Sequence, residues 1–194
     1  CLECLVNQTY PSSCYEVIPV NDASEDQTME IINNYMSENE KIKPININPG
    51  ERHKQGKINA IDKGILNAKG EIIITTDADT WMGTEWISKM VGSFDVSTGF
   101  VLGITLDQMS NNPVHAFHAL DSIGMCVIGT ALAEMNNPIT CRGTNIAFRK
   151  DAYLQVREKV LLLSATLGNR EWLMQEINSS TDWEISPQVD PGSF

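Results

Sequence analysis

Positive charge is scarce in this chain. Fourteen Lys and Arg stand against 25 Asp and Glu, a formal net charge of −11 over 194 residues. A nucleic-acid-binding surface needs a basic patch, so this balance argues against that class of partner. Segment 22–40 contains no Lys or Arg at all, and most of its acidic residues read as a solvated helix face. Histidine is scarcer, with three residues, and the five cysteines (Cys1, Cys4, Cys14, Cys126, Cys141) include only one Cys-x-x-Cys spacing, Cys1 and Cys4. An odd count spaced this way favours neither a zinc site nor a disulfide framework, and a reduced, cytoplasmic setting is expected. Neither a signal peptide nor an apolar run long enough to cross a bilayer is expected. The longest apolar stretch, 116–135, is interrupted by Gly124 and Gly129 and reads as a buried or interfacial helix. Membrane attachment, if the whole protein has it, is expected from outside this sequence.

What is present is a soluble globular composition, 42% hydrophobic and 20% charged. Strand-like runs at 15–20, 42–47, 71–76 and 99–107 alternate with helical patterns at 1–8, 27–38, 57–67 and 85–94. That alternation predicts an α/β fold with a mainly parallel sheet flanked by helices, in one domain over 1–194. A strand over 145–148 and helices over 151–156 and 171–177 complete the expected elements. Segment 21–26 reads as a loop in which Ser24 or Asp26 caps the next helix.

Glu71-Ile72-Ile73-Ile74-Thr75-Thr76 is a β-branched run delivering Asp77-Ala78-Asp79 at its carboxyl end, where open α/β sheets place ligands. Extended backbone through that triplet points both carboxylates the same way. Such a pair can hold a hard divalent cation, since Mg²⁺ takes one or two carboxylates plus substrate phosphates. Asp22 stands at a comparable strand end; it suits a base N–H or a ribose hydroxyl, and equally an Asx-turn or helix cap. Lys57 opens its helix near Gly50 and Gly56, within reach of a diphosphate as a point charge or else merely solvated. Gly143 permits close backbone approach, and Asn145 offers donor and acceptor groups.

The order of these blocks resembles family 2 glycosyltransferases. Val20-Asn21-Asp22-Ala23-Ser24-Glu25-Asp26-Gln27-Thr28 is similar to the family's Val-(Asn/Asp)-Asp-Gly-Ser-x-Asp-x-Thr signature. Lys57-x-x-Ala60-x-x-x-Gly64-Ile65-x-x-Ala68-x-Gly70-Glu71 resembles its next block and leads into its Asp-x-Asp. Gly143-Thr144-Asn145-Ile146-Ala147-Phe148-Arg149-Lys150 is similar to Gly-x-Asn-x-Ala-x-Arg-(Arg/Lys). The resemblance implies a GT-A (Rossmann-like) fold and an inverting transferase. Its donor would be a nucleoside-diphosphate sugar, UDP-linked by expectation, and its acceptor a glycan or lipid-linked hydroxyl. It further implies base contact by Asp22, donor proximity for Lys57, and ribose or metal binding by Asp77. Asp79 would ligate Mg²⁺ or Mn²⁺, and Gly143 and Asn145 would line the acceptor side.

Two departures accompany the resemblance. The family's first strand, central to its sheet, is missing ahead of Cys1, so the chain reads as a piece of that domain with an unpaired strand edge. Relatives with the closest pattern carry Gly-Asp-Asp-Glu-Phe-Leu where this sequence has Gly168-Asn169-Arg170-Glu171-Trp172-Leu173. Glu171 is then the one nearby carboxylate for a general base. A catalytically silent nucleotide-sugar-binding domain and a nucleotidyltransferase are the alternative readings.

Overall fold

The computed structural model describes residues 1–51, 56–107, 112–167 and 171–189. Seven α-helices, two short 3-10 turns and six strands occur among them. Helix α1 (Leu2–Val6) precedes β1 (Val20–Asp22), α2 (Thr28–Glu38), β2 (Ile45–Ile47), α3 (Lys57–Asn67) and β3 (Ile72–Thr76). Then come α4 (Trp86–Gly92), β4 (Thr98–Gly103), α5 (Pro113–Glu134), β5 (Asn145–Arg149), α6 (Lys150–Leu167), α7 (Glu171–Ser180) and β6 (Glu184–Gln188).

The expected α/β layering is present, with two sheets. Strands β1 and β2 pair in parallel, and a second sheet runs in the order β3-β5-β4-β6. β4 and β6 are parallel, while β5 is antiparallel to both β3 and β4. The larger sheet is therefore mixed. β1 and β3 each leave one edge without a strand partner among the described residues.

The core lies on both faces of the larger sheet. On one, Phe100 and Phe148 stack with ring centroids 6.2 Å apart and pack with Tyr153, Leu173, Met174 and Ile177. On the other, Val101 and Ala147 meet Met82, Trp86, Ile87 and Met90. Alternation along β4 and β5 divides these neighbours between the faces, as the pleat requires. Truncating a fully buried ring such as Phe148 would cost about 3–5 kcal/mol.

Several boundaries differ from expectation. The strand predicted over 15–20 is reduced to an isolated bridge at Val17 and a strand beginning at Val20, because Pro19 has no N–H for a ladder. Asn21 and Asp22 are thus strand residues, not loop. Helix α6 runs to Leu167, well past the expected 156, since no glycine or proline interrupts it. Neither proposed cap holds the cap position, which falls on Gln27 without a side-chain bond; Asp26 Oδ1 instead accepts from the Thr28 N–H at 3.0 Å, a local Asx-type turn just ahead of the helix.

Helix α5 also corrects the membrane expectation. Its 22 residues are long and apolar enough, by length and composition alone, to cross a membrane. A narrow face of Ala119, Ser122, Cys126, Gly129 and Ala133 is buried against the protein. Phe117, Leu120, Val127 and Ile128 are exposed.

Candidate donor and acceptor site

Strand β3 ends at Thr76, and Asp77 is the next residue. The Asp-x-Asp triplet is a turn, closed by the Thr80 N–H donating to the Asp77 carbonyl at 3.2 Å. Its backbone is not extended, so alternation does not govern the two carboxylates: Asp77 is half-buried and Asp79 exposed. Helix α3 begins beside this turn. Gly56 stands at its N-cap with φ +47°, a left-handed value natural to glycine. From the first position of that helix, Lys57 Nζ reaches Asp77 Oδ1 at 2.8 Å. Two sequence-predicted residues twenty positions apart therefore meet.

Register brings in the third block. Because β5 is antiparallel to β3, its first residue Asn145 lies opposite Thr76, and Leu102 lies opposite Ile146 on the other side. The Asp77–Asp79 turn, the Gly143–Asn145 approach and the exit of β4 consequently share one end of the sheet. This end is laced together. Asn145 Nδ2 donates to the Ile104 carbonyl at 2.7 Å, Thr105 and Thr144 hydroxyls are 3.0 Å apart, and Arg142 Nη1 is 3.1 Å from Asp107 Oδ1. Arg142 also donates to Ser122 of α5. A hydrogen bond from Ser122, together with the Arg142 charge, holds the Asp107 carboxyl below its ordinary range.

Asn145 itself requires a correction. Its side chain is 5% exposed, with Oδ1 accepting from Trp86 Nε1 at 2.9 Å and Nδ2 spent on Ile104. A buried amide satisfied in this way is an internal strut, not part of an acceptor-facing surface. The space around it is full: a Cβ placed on Gly103 would fall 2.3 Å from Asn145 Cγ.

Asp22 ends β1 and is half-buried. Its position is fixed from below by Asn21, whose Nδ2 donates to Asn46 Oδ1 at 2.7 Å across the strand pair and whose Oδ1 accepts from the Ser24 N–H. Ala23, which occupies the signature's glycine position, has φ +54°. This is a left-handed conformation that side chains with a Cβ adopt only at a cost.

Glu171 opens α7. The Thr140 hydroxyl donates to Glu171 Oε1 at 2.7 Å, and Gln175 Nε2 donates to the Ile139 carbonyl at 3.0 Å. Helix α7 is thereby tied to the segment leading into Gly143. Asn169 and Arg170 lie outside the described residues. Sequence reasoning missed Thr140, Asn21, Trp86 and Arg142, all of which act through partners distant in the chain.

The carboxylate pair can be tested against a divalent cation by its chemistry. Asp77 and Asp79 offer hard oxygen donors at one turn, which suits Mg²⁺ or Mn²⁺ shared with phosphate oxygens. No group of three or more His, Cys, Asp or Glu is gathered for a metal among the described residues. A two-carboxylate site completed by a ligand does not need one.

Comparison with known proteins decides the family. The sequence profile of glycosyl transferase family 2 matches residues 1–156. The chain belongs to this family. Among its glycosyltransferase relatives is a poly(ribitol-phosphate) beta-glucosyltransferase of Bacillus spizizenii, 38% identical over an alignment of 111 residues that covers 54% of this chain and 17% of that protein. Two solved glycosyltransferases share the GT-A fold. The mannosyltransferase PcManGT from Pyrobaculum calidifontis, in complex with GDP-Man and Mn²⁺, matches with TM-score 0.68 at 20% identity, over 97% of this chain and 50% of that one. TarS 1–349 of Staphylococcus aureus in complex with UDP matches with TM-score 0.65 at 18% identity, over 99% and 54%. This chain thus spans about half the length of those structures and less of the curated relative.

Proposed function

We propose that this domain binds a nucleoside-diphosphate sugar, with UDP as the nucleotide, and transfers the sugar with inversion to a hydroxyl of a glycan or lipid-linked acceptor. The observation that carries this reading is the meeting of Lys57, the Asp77–Asp79 turn and the Gly143 approach at one sheet end. A diphosphate there would take the Lys57 ammonium as a counter-charge, and Asp22 at the end of β1 would receive the base. Asp77 and Asp79 would hold Mg²⁺ or Mn²⁺, whose charge offsets that developing on the departing diphosphate. Names of relatives support the substrate class: one acts on a poly(ribitol-phosphate), and solved neighbours hold UDP or GDP-Man.

Inversion requires the acceptor oxygen to attack the anomeric carbon from the side opposite the diphosphate. As that C–O bond forms, the hydroxyl proton must pass to a base. Glu171 is the carboxylate assigned to this role. Thr140 holds one of its oxygens and leaves the carboxylate oriented.

Calorimetry with UDP, with and without Mn²⁺, tests the donor site. Metal-dependent UDP binding that is lost in Asp79→Ala is the expected result. Equal UDP affinity with and without Mn²⁺ in both proteins would overturn the metal assignment.

A further inference from the structure

Three of the four tryptophans are built into the protein. Trp86 is 3% exposed and bonded to Asn145, Trp172 has its Nε1 buried, and Trp183 packs on the core beneath the Arg149 guanidinium at 5.2 Å. Trp81 is 78% exposed and makes no hydrogen bond or ring contact among the described residues.

Its backbone is held on both sides. Before it, the Thr80 N–H closes the turn on the Asp77 carbonyl. After it, Met82 is buried in the core, and Gln8 Nε2 donates to the Gly83 carbonyl at 2.8 Å. The Thr84 carbonyl accepts from both the N–H and the hydroxyl of Thr9. A large aromatic ring is thus displayed in water from a fixed segment, although burying such a ring is among the most stabilising contacts a core offers.

Position narrows what could cover it. Trp81 is two residues from Asp79, so their Cα atoms are at most about 7.6 Å apart. Ligand sites place a few polar groups beside apolar and aromatic walls, and here the polar groups are already assigned to a diphosphate. The group bonded to that diphosphate is a pyranose, and its acceptor is another hydroxylated ring. A pyranose is polar around its rim and presents C–H bonds on its faces, a match for a flat indole that is apolar over its body and polar at one edge.

We infer that Trp81 is a stacking platform for a pyranose ring at the transfer site. This rests on the donor-site reading above, and the ring belongs either to the donor sugar or to the acceptor glycan. An indole face at this place favours sugars with equatorial substituents, whose C–H faces are unobstructed.

The test uses the 194-residue chain, Trp81→Ala and Trp81→Phe, with calorimetry and tryptophan fluorescence. The probes are UDP with Mn²⁺, UDP-glucose with Mn²⁺, and cellobiose. Stacking on the donor sugar predicts that Trp81→Ala binds UDP-glucose about tenfold more weakly while UDP is unchanged. A tenfold change corresponds to about 1.4 kcal/mol. Stacking on the acceptor predicts the same loss for cellobiose alone. Trp81→Phe should retain most of the affinity in either case. Unchanged thermal unfolding of Trp81→Ala separates binding from a structural role.

Equal affinities of Trp81→Ala and the parent for UDP-glucose and cellobiose would overturn the proposal. So would an equal loss for UDP itself, which would assign the ring to the base. If the parent fails to bind UDP, the donor-site reading falls, and Trp81 is judged on cellobiose; no binding there overturns it too.

Discussion

Lys57 Nζ lies 2.8 Å from Asp77 Oδ1, joining the first residue of α3 to the turn after β3. The lysine is 61% exposed, and an ion pair this wet contributes less than about 1 kcal/mol to stability. Replacement by methionine should leave the urea midpoint nearly unchanged. The same change should weaken UDP binding about tenfold, as loss of one charge-assisted contact to phosphate would. A large loss of stability with intact UDP affinity would reverse that assignment.

Ala23 sets up the second expectation. A Cβ in the left-handed region costs about 1 kcal/mol or more, and glycine escapes it. Ala23→Gly should therefore raise the urea midpoint, with an unchanged m-value, by the equivalent of about 1 kcal/mol. A lower midpoint would show that Ala23 gains more from its contacts than its backbone loses.

The base assignment separates into two variants. Glu171→Gln should reduce kcat by at least about a hundredfold, the usual scale of general-base loss. Thr140→Val keeps the carboxylate and removes the hydroxyl that orients it. A smaller fall in kcat than in Glu171→Gln is expected there, with KM within about twofold, because the carboxylate remains but its orienting hydrogen bond is gone. Full activity in Glu171→Gln would leave the base elsewhere.

Acid sensitivity is expected from a buried cluster remote from this chemistry. Asp62 of α3 accepts from Tyr153 at 2.8 Å and from Arg157 Nε and Nη2 at 2.6 and 2.8 Å, tying α3 to α6. Burial pushes its carboxyl upward, but the Arg157 and Tyr153 bonds outweigh it and hold the group below its ordinary value. A depressed carboxylate stabilises the fold fully above its unfolded pKa, about 4, and loses that contribution as pH falls through the folded value. Asp62→Asn should cost about 2 kcal/mol at pH 7, less than the roughly 3–5 kcal/mol of a fully buried broken pair because Arg157 is partly exposed. The variant should also flatten the fall in Tm below about pH 4; a parallel acid limb in both proteins would contradict this.

The sequence carried the site's backbone better than its side-chain wiring. The Ile72–Thr76 run and the helix opening at Lys57 were legible because β-branched clustering and helical spacing are local signals. Strand β6 was not, since Pro187 lies inside it; it sits at the sheet edge, where a missing donor is tolerated. Asn145 was read as facing a ligand because an amide in a polar motif has that chemistry. Its real partners, Trp86 and Ile104, lie 59 and 41 residues away, and no spacing rule connects them. Asp62 was hidden for the same reason: nothing near it in sequence announces Arg157.

The fit of Gly103 against Asn145, with Trp86 closing the amide, also bears on how this protein can be altered. A side chain at 103 displaces the amide, and losing the amide strands the indole N–H, so a change at any one of the three is penalised by the other two. Libraries that vary these positions singly would return almost nothing, whereas libraries varying all three together would sample alternative solutions. The three residues behave as one inherited letter in the protein's alphabet, spelled at three places.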